Sequence, residues 1–541
     1  MVWNAGIGPG IAAHLRALGP YGEQIAGVLP GELEHYAAGW AMAHRGACRA
    51  HERGELTPEL YAANLGCLSR ARVALATTSE VLRAATVERL PDAVVAARGL
   101  PMVDGCRVEA ETSTAAPPPH VIATRVGEVG ADVVRARTLA LAVDPRALEL
   151  AARADRDAVQ LAYPALVGKA ALVHGFALML AHRRDEAIVV FDRASAAALE
   201  ARDSATAIEA IARKLFAVAV DTRSRGTTEG HADTPATIAL AEPLALGMRP
   251  TGGFARALLF NNVGTVRLAQ QDTAGARVWF EKALRERPAG TADGIELASI
   301  VGNLGLVETD RVKRDALFQR EGDELEAVLG RDHPLALDAR LRAAMFIEHP
   351  GRARTQLANV CERYRRLHPT AVERAAQCIY EIAWLAEESG DVAGGAAELG
   401  TIDPTRIEAR VAVGYQLLLG GKVAEANRTM LEVGAALAQE KHFWARWRGV
   451  DALIVAAIAQ HALGDLALER TTLERALAAI TTIEAIKTTT FYQRRLARIH
   501  RMLARIAPSL ADHATAALTW YRAAGGYDAA VTELEALTLR R

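Results

Sequence analysis

Apolar and small residues recur three and four apart along most of this chain, the spacing that gathers them on one face of an α-helix. The pattern is clearest over residues 257–290, ALLFNNVGTVRLAQQDTAGARVWFEKALRERPAG, which reads as two amphipathic helices joined by a tight turn. Phe260 and Gly264 fall on the first helix, and Ala276, Phe280 and Ala283 on the second. Gly264 and Ala276 let the two helices approach, and Phe280 fills the space between them. Pro288 ends the unit, because it has no amide hydrogen for the next helical bond. Residues 166–199 repeat the scheme with Gly175, Ala187, Phe191 and Ala194, and the Gly-to-Phe spacing is 16 in both stretches. Runs of period two are scarce, so the expected fold class is all-α.

The rest of the chain follows the same grammar. Residues 1–30 carry one helical piece around Ile11–Leu18. GIGPG, residues 6–10, looks like a phosphate loop but follows no strand, and Pro9 removes an amide donor. Residues 31–110 read as a three-helix bundle. Leu33, Tyr36, Ala37, Trp40, Ala43 and Ala47 share the face of its first helix, Gly54 ends it, Thr57 caps the second with Pro58 behind it, and a third begins near Pro91. ETSTAAPPPH, residues 111–120, is a linker by composition. From 121 to 541 the chain reads as helical hairpins, with further units marked at Ser389, Gly420 and Leu463. In the last of these Glu469 stands where a small residue is expected. Residues 221–253 read as an irregular insertion, and helices over 491–506 and 510–539 close the array.

Those residue types at those offsets over 34 residues resemble the tetratricopeptide (TPR) repeat. Arg267 replaces the aromatic usual late in its first helix, and LGRDHP, residues 329–334, resembles the turn of the longer variant found in kinesin light chains. The resemblance implies a right-handed α-solenoid following the N-terminal bundle, an architecture that accommodates 541 residues because each unit packs only on its neighbours. It also implies a concave groove lined by first helices. Asn262 and Asn303, 41 residues apart, occupy equivalent places there, where Asn in such repeats often bonds the backbone of a bound peptide; a solvated or intra-repeat Asn is the alternative. Arg267 adds a positive charge on the same helix.

Charged residues make up 23% of the chain, the hydrophobic set 51%, and the net charge is −1, which argues against a general affinity for nucleic acid or anionic membrane. The most apolar run, from Ala170, ends at Arg183, short of the roughly 20 residues a membrane span needs. The N-terminus lacks the basic start and apolar core of a signal peptide, so a cytoplasmic location is expected.

YAAGWAMAHRGACRAHERGELTPELYAANLGCLSRARVAL, with Trp40, Arg45, Cys48, Gly54, Glu55, Cys67 and Leu68, resembles a segment of large bacterial serine/threonine kinases of the eukaryotic-like type. There it lies between the kinase domain with its membrane span and a C-terminal TPR array. VWN at residues 2–4 and Cys106 fit the same pattern. The catalytic motifs are absent: no Gly-rich loop after a strand, no His-Arg-Asp, no Asp-Phe-Gly. The resemblance therefore implies a non-catalytic protein-interaction scaffold in bacterial signalling, without cofactor. The alternative is the sensor or substrate-docking portion of such a kinase, which in membrane-anchored relatives lies outside the cytoplasm.

Cys48 and Cys67 are expected to face each other across the helical hairpin as packed thiols or as a disulfide. The competing reading adds His44 and His51 as zinc ligands. The resemblance implies no partner for Cys106 within this chain, and Cys361 and Cys378 are expected to be separate thiols. FWARWR, residues 443–448, reads as core packing, with an aromatic patch for a partner as the alternative.

Overall fold

The computed structural model describes every residue except 1–2, 5, 108–116, 226–230, 248–252, 288–293, 389–390, 392–406, 441–442, 484–486, 488, 507–510 and 540–541. Among the described residues there are 25 helices and no strand. Successive helices pack as hairpins, so the protein is an all-α array of TPR-like helical pairs preceded by a small bundle. No helix among the described residues is long and apolar enough to cross a membrane. The chain forms two compact units. One comprises Met1–Asp221, Glu229–Leu304 and Glu324–His333; the other comprises Thr222–Thr228, Gly305–Asp323 and Pro334–Arg541.

The first unit begins with two helices, Ile7–Arg16 and Pro20–Ala26, where the sequence suggested one. Gly19, at φ 93°, turns the chain between them, and Pro20 starts the second where no amide donor is needed. GIGPG lies in the start of the first helix. The bundle helices Leu29–Glu52, Pro58–Ala84 and Leu90–Arg98 follow. Thr57 caps the second, its hydroxyl accepting from the Leu60 amide at 3.3 Å. Of the expected linker, 111–116 lies outside the described residues, and His120 already opens the helix His120–Leu141. That helix packs on Pro58–Ala84, so bundle and first hairpins share one compact unit.

Two hairpins of this unit, Pro164–Leu180 with Arg184–Glu200 and Gly253–Ala269 with Thr273–Glu286, show why glycine is needed at the crossing. A Cβ on Gly175 would lie 2.6 Å from the Phe191 ring, and one on Gly264 would lie 2.5 Å from Phe280. Both rings are fully buried. Between these hairpins the supposed insertion contains a helix, Thr234–Leu246. Pro235 fits its first turn, and Ile238, Ala241 and Ala245 join a core with Ile208, Leu215 and Leu258. The turn chemistry at its start had masked this apolar face. Pro288 lies outside the described residues.

The unit then closes on itself. The end of helix Arg311–Leu329 and the turn to His333 return to the bundle. The Arg98 guanidinium donates to the Val328 carbonyl, His333 Nε2 donates to the Pro91 carbonyl at 3.0 Å, and Tyr21 meets the His333 ring edge-on at 6.3 Å. A cleft of about 330 Å³, lined by Leu33, Tyr36, Arg98 and Val328 among others, runs along this seam.

In the second unit the same crossing recurs in Ile407–Leu419 with Val423–Ala438, where a Cβ on Gly414 would lie 2.2 Å from Met430. That spacing is again 16. The marker at Ser389 lies outside the described residues. The expected last helix, 510–539, is two: Ala511–Ala524 and Asp528–Leu539. Gly525 and Gly526, at φ 71° and 76°, divide it, a conformation the helix cannot contain.

Candidate functional site

The hairpin scheme sets first helices side by side, and in the first unit their shared wall carries most of the polar side chains singled out by sequence. Asn262 is buried there. Its amide nitrogen donates to the Ala212 carbonyl at 2.8 Å, and its oxygen accepts from Asn261 at 3.1 Å. The Asn261 oxygen in turn accepts from the amide of Asn303 at 3.0 Å. A relay of neutral amides therefore joins the helices Ser204–Arg225, Gly253–Ala269 and Gly294–Val307. For Asn262 the groove expectation is corrected: both polar ends are used inside the protein, the intra-protein alternative. Asn303 is half-buried and bonded into the same relay, whereas Arg267 stays 39% exposed, 4.0 Å from Asp272.

Sequence reasoning missed the charged part of this wall. Arg213 hydrogen-bonds Glu209 at 2.8 Å and Glu296 at 3.2 Å, and its guanidinium lies 4.6 Å over the Phe176 ring. Arg137, 43% exposed, stands 3.6 Å from Glu209. Burial alone disfavours both charged forms. Glu296 and Glu209 outweigh it and raise Arg213 above its ordinary range, while Arg137 and Arg213 hold Glu209 below the usual carboxylate range. The signal available in the sequence was the Glu209–Arg213 spacing of four, which puts both on one helical face. Such a wall can present Arg137, Phe176, Arg267 and Glu296 to an extended peptide or a partner helix, while the buried amides hold the register of the helices behind them.

The cysteines pair differently from the expectation. Cys67 is joined to Cys106, with Cα atoms 5.4 Å apart, and Cys361 to Cys378, with Cα atoms 5.5 Å apart. Cys48 is free, its sulfur 3.4 Å from the Tyr61 hydroxyl and 3.9 Å from His44 Nδ1. The correction is one of height on the hairpin. Cys48 lies opposite Tyr61, and Trp40 lies opposite Leu68, whose carbonyl accepts from the Trp40 indole at 2.7 Å. Cys67 is therefore six residues farther from the turn than the level of Cys48, roughly 9 Å along the axis at 1.5 Å per residue. At that level it meets Cys106, in the segment after the third bundle helix. His51 stacks on Tyr61 at 4.2 Å.

The second unit has its own polar interior, also built on first helices. Glu381, on Val372–Glu388, and Asp451, on Phe443–Ala462, face Arg448 from the latter helix and Arg495 from Thr490–Ile506. Arg495 meets Glu381 at 3.0 Å and Asp451 at 3.1 Å; Arg448 meets Asp451 at 3.0 Å and Glu381 at 3.4 Å. Burial pushes Glu381 up, but Arg495 and Arg448 outweigh it and hold it below its ordinary value. Trp447 is buried, edge-on to Phe491 and stacked on Tyr492, as the core reading of FWARWR requires; the side chains of Phe443 and Trp444 lie outside those described. Glu469, the odd residue of its repeat, is buried and accepts from His461 Nδ1 at 2.8 Å. Among the described residues no group of three or more His, Cys, Asp or Glu side chains is arranged to hold a metal ion.

No protein-family profile matches this chain, and no curated protein matches it either. Among solved structures it is similar to the crystal structure of the APC/C hetero-tetramer Cut9-Hcn1, at 13% identity over 78% of this chain and 88% of that one, with a TM-score of 0.32. The all-α hairpin assignment rests on the helices described above and not on that likeness.

Proposed function

We propose that this protein is a non-catalytic scaffold that binds an extended peptide or partner helix along the first-helix wall of its hairpin array. The observation that carries the reading is the alignment of successive first helices by buried amides and glycine–aromatic crossings, with Arg137, Arg267 and Glu296 left partly exposed along them. A repeat surface of this kind gains affinity from many modest contacts along its length. The test is selection of ligands from a random linear-peptide library on the intact chain. Selected peptides are expected to bind Arg137→Glu/Arg267→Glu about tenfold more weakly or worse, with an unchanged circular dichroism spectrum. Peptides that bind wild type and variant equally would sink the reading.

The finer reading places the scaffold in bacterial signalling, beside or as part of a serine/threonine kinase. What supports it is that Trp40, Cys67, Leu68 and Cys106, all carried by the resemblance, meet in one cluster of the bundle. Purified chain should transfer no phosphoryl group from ATP and should bind the catalytic domain or a substrate of such a kinase. Turnover of ATP by the chain alone would return it to the enzymes. The disulfides point to an oxidising compartment and so favour the extracytoplasmic over the cytoplasmic location.

A further inference from the structure

We propose that the buried arginine cluster of the second unit is a binding site for a small oxyanion of the inorganic phosphate class. The case starts from charge. Arg448, Arg494 and Arg495 are buried, and among the described residues their ion-pair partners are Glu381 and Asp451. Both carboxylates are engaged by Arg448 and Arg495. Arg494, 1% exposed, has a carbonyl for a partner, that of Ile347 at 2.6 Å. Glu381 acts on Arg494 through space without a direct ion pair, so three buried guanidinium groups share two carboxylates and an anion is the natural complement.

The second line concerns hydrogen bonds. Four buried polar atoms have no acceptor among the described residues: Arg495 Nη1, Arg494 Nε, the Tyr380 hydroxyl and the Trp384 indole nitrogen. Three of them share a neighbourhood, and Arg494 adjoins Arg495 in the chain and acts on Glu381 through space. The Arg495 guanidinium lies 4.8 Å over the Trp384 ring, Arg448 lies 4.9 Å over the Tyr380 ring, and the two rings are 5.9 Å apart. Arg498 stacks on the Trp384 ring as well, at 4.1 Å. All four atoms are donors. A water molecule would bring two hydrogens of its own, and the nearby carboxylate oxygens already accept from arginine. An oxyanion brings acceptors and negative charge alone, which answers both deficits at once.

The shared chemistry fits free phosphate or sulfate, or the phosphoryl group of a phosphorylated side chain. Burial favours the free ion. The test uses the full chain in chloride buffer and follows thermal unfolding and tryptophan fluorescence, since Trp384 and Trp447 both lie against Arg495. Inorganic phosphate should raise the unfolding temperature of the second unit by at least about 3 °C over sodium chloride of equal ionic strength. Arg494→Gln should lose most of this response. Tyr380→Phe, which removes only an unpaired hydroxyl, should fold normally and bind phosphate several-fold more weakly, and it decides the matter if Arg494→Gln does not fold. A response to phosphoserine but not to inorganic phosphate would overturn the assignment to a free ion. Equal shifts with phosphate and chloride, or a phosphate response unchanged in Tyr380→Phe and Arg494→Gln, would overturn the site.

Discussion

The two units join neighbouring first helices by opposite means. In the first, the fully buried links are neutral, Asn261 and Asn262 passing hydrogen bonds from helix to helix and on to Asn303, while the charged link of Arg213 to Glu209 and Glu296 is partly exposed and opens to the surface at Arg137. In the second, the innermost links are ionic, with Glu381, Asp451 and Arg495 buried beneath Trp384 and Trp447. The difference matters because amides can be buried at small cost when each finds a partner, whereas a buried ionic network is stable only when complete. The same hairpin geometry therefore yields one interior that should degrade gradually under mutation and one that should fail abruptly.

The largest effect is expected in the ionic core. Asp451→Ala strips the carboxylate shared by Arg448 and Arg495, and should destabilise the second unit by about 5 kcal/mol, the upper end for a broken buried pair. Hydrogen exchange should show lost protection over residues 372–506 with the Gly253–Glu286 hairpin intact; equal loss in both would erase the contrast. Phe280→Ala comes next, at about 3–4 kcal/mol, because its ring fills the space facing Gly264. Its signature is early opening of residues 253–307, read by the same exchange experiment. Asn262→Ala should cost only about 1–3 kcal/mol, the penalty for leaving the Ala212 carbonyl and the Asn261 amide unpaired; chemical denaturation measures it, and a loss as large as that of Asp451→Ala would contradict the gradual interior.

The smallest effect is one of pH, and its sign differs between the units. Burial pushes Asp92 of the first unit up to about 6, with Arg89 opposing. The folded form then takes its proton before the unfolded chain does, so the first unit gains stability as pH falls from about 6 to about 4. Burial and the neighbouring His513 lower His500 of the second unit to about 4, with its Nδ1 2.7 Å from that of His513. The unfolded chain binds that proton first, so the second unit loses stability as pH falls from 6.5 to about 4. Unfolding followed unit by unit across this window should show the two midpoints moving apart, and His500→Asn should abolish the second trend.

Much of this fold was legible because its determinants are local. A glycine and a large apolar residue 16 apart declare a crossing, and Gly414 with Met430 obeys the rule even though Met hid it. Thr57, Pro58 and Gly54 set their helix ends as their chemistry dictates. The site was less legible because it depends on which residues face each other across hairpins. Counting turns placed Cys67 level with Cys48, yet Trp40 bonding to Leu68 fixes a register two turns away. Asn262 occupies a groove position by repeat alignment, but it is buried and the helix Ser204–Arg225 takes its hydrogen bond. The ionic core brings together residues up to 114 apart, and no local pattern joins Glu381 to Arg495.

The return of residues 324–333 to the bundle bears on the order in which the protein is made. The Val328 carbonyl that Arg98 reaches and the His333 ring that reaches Pro91 lie 230 and 242 residues downstream. Closing so long a loop is entropically costly and slow compared with zipping a hairpin. During synthesis the bundle therefore waits, with Tyr21, Leu33 and Tyr36 uncovered along the seam, until the ribosome has delivered His333 and the tunnel has released it. Nascent chains arrested before that point should be the ones a chaperone holds.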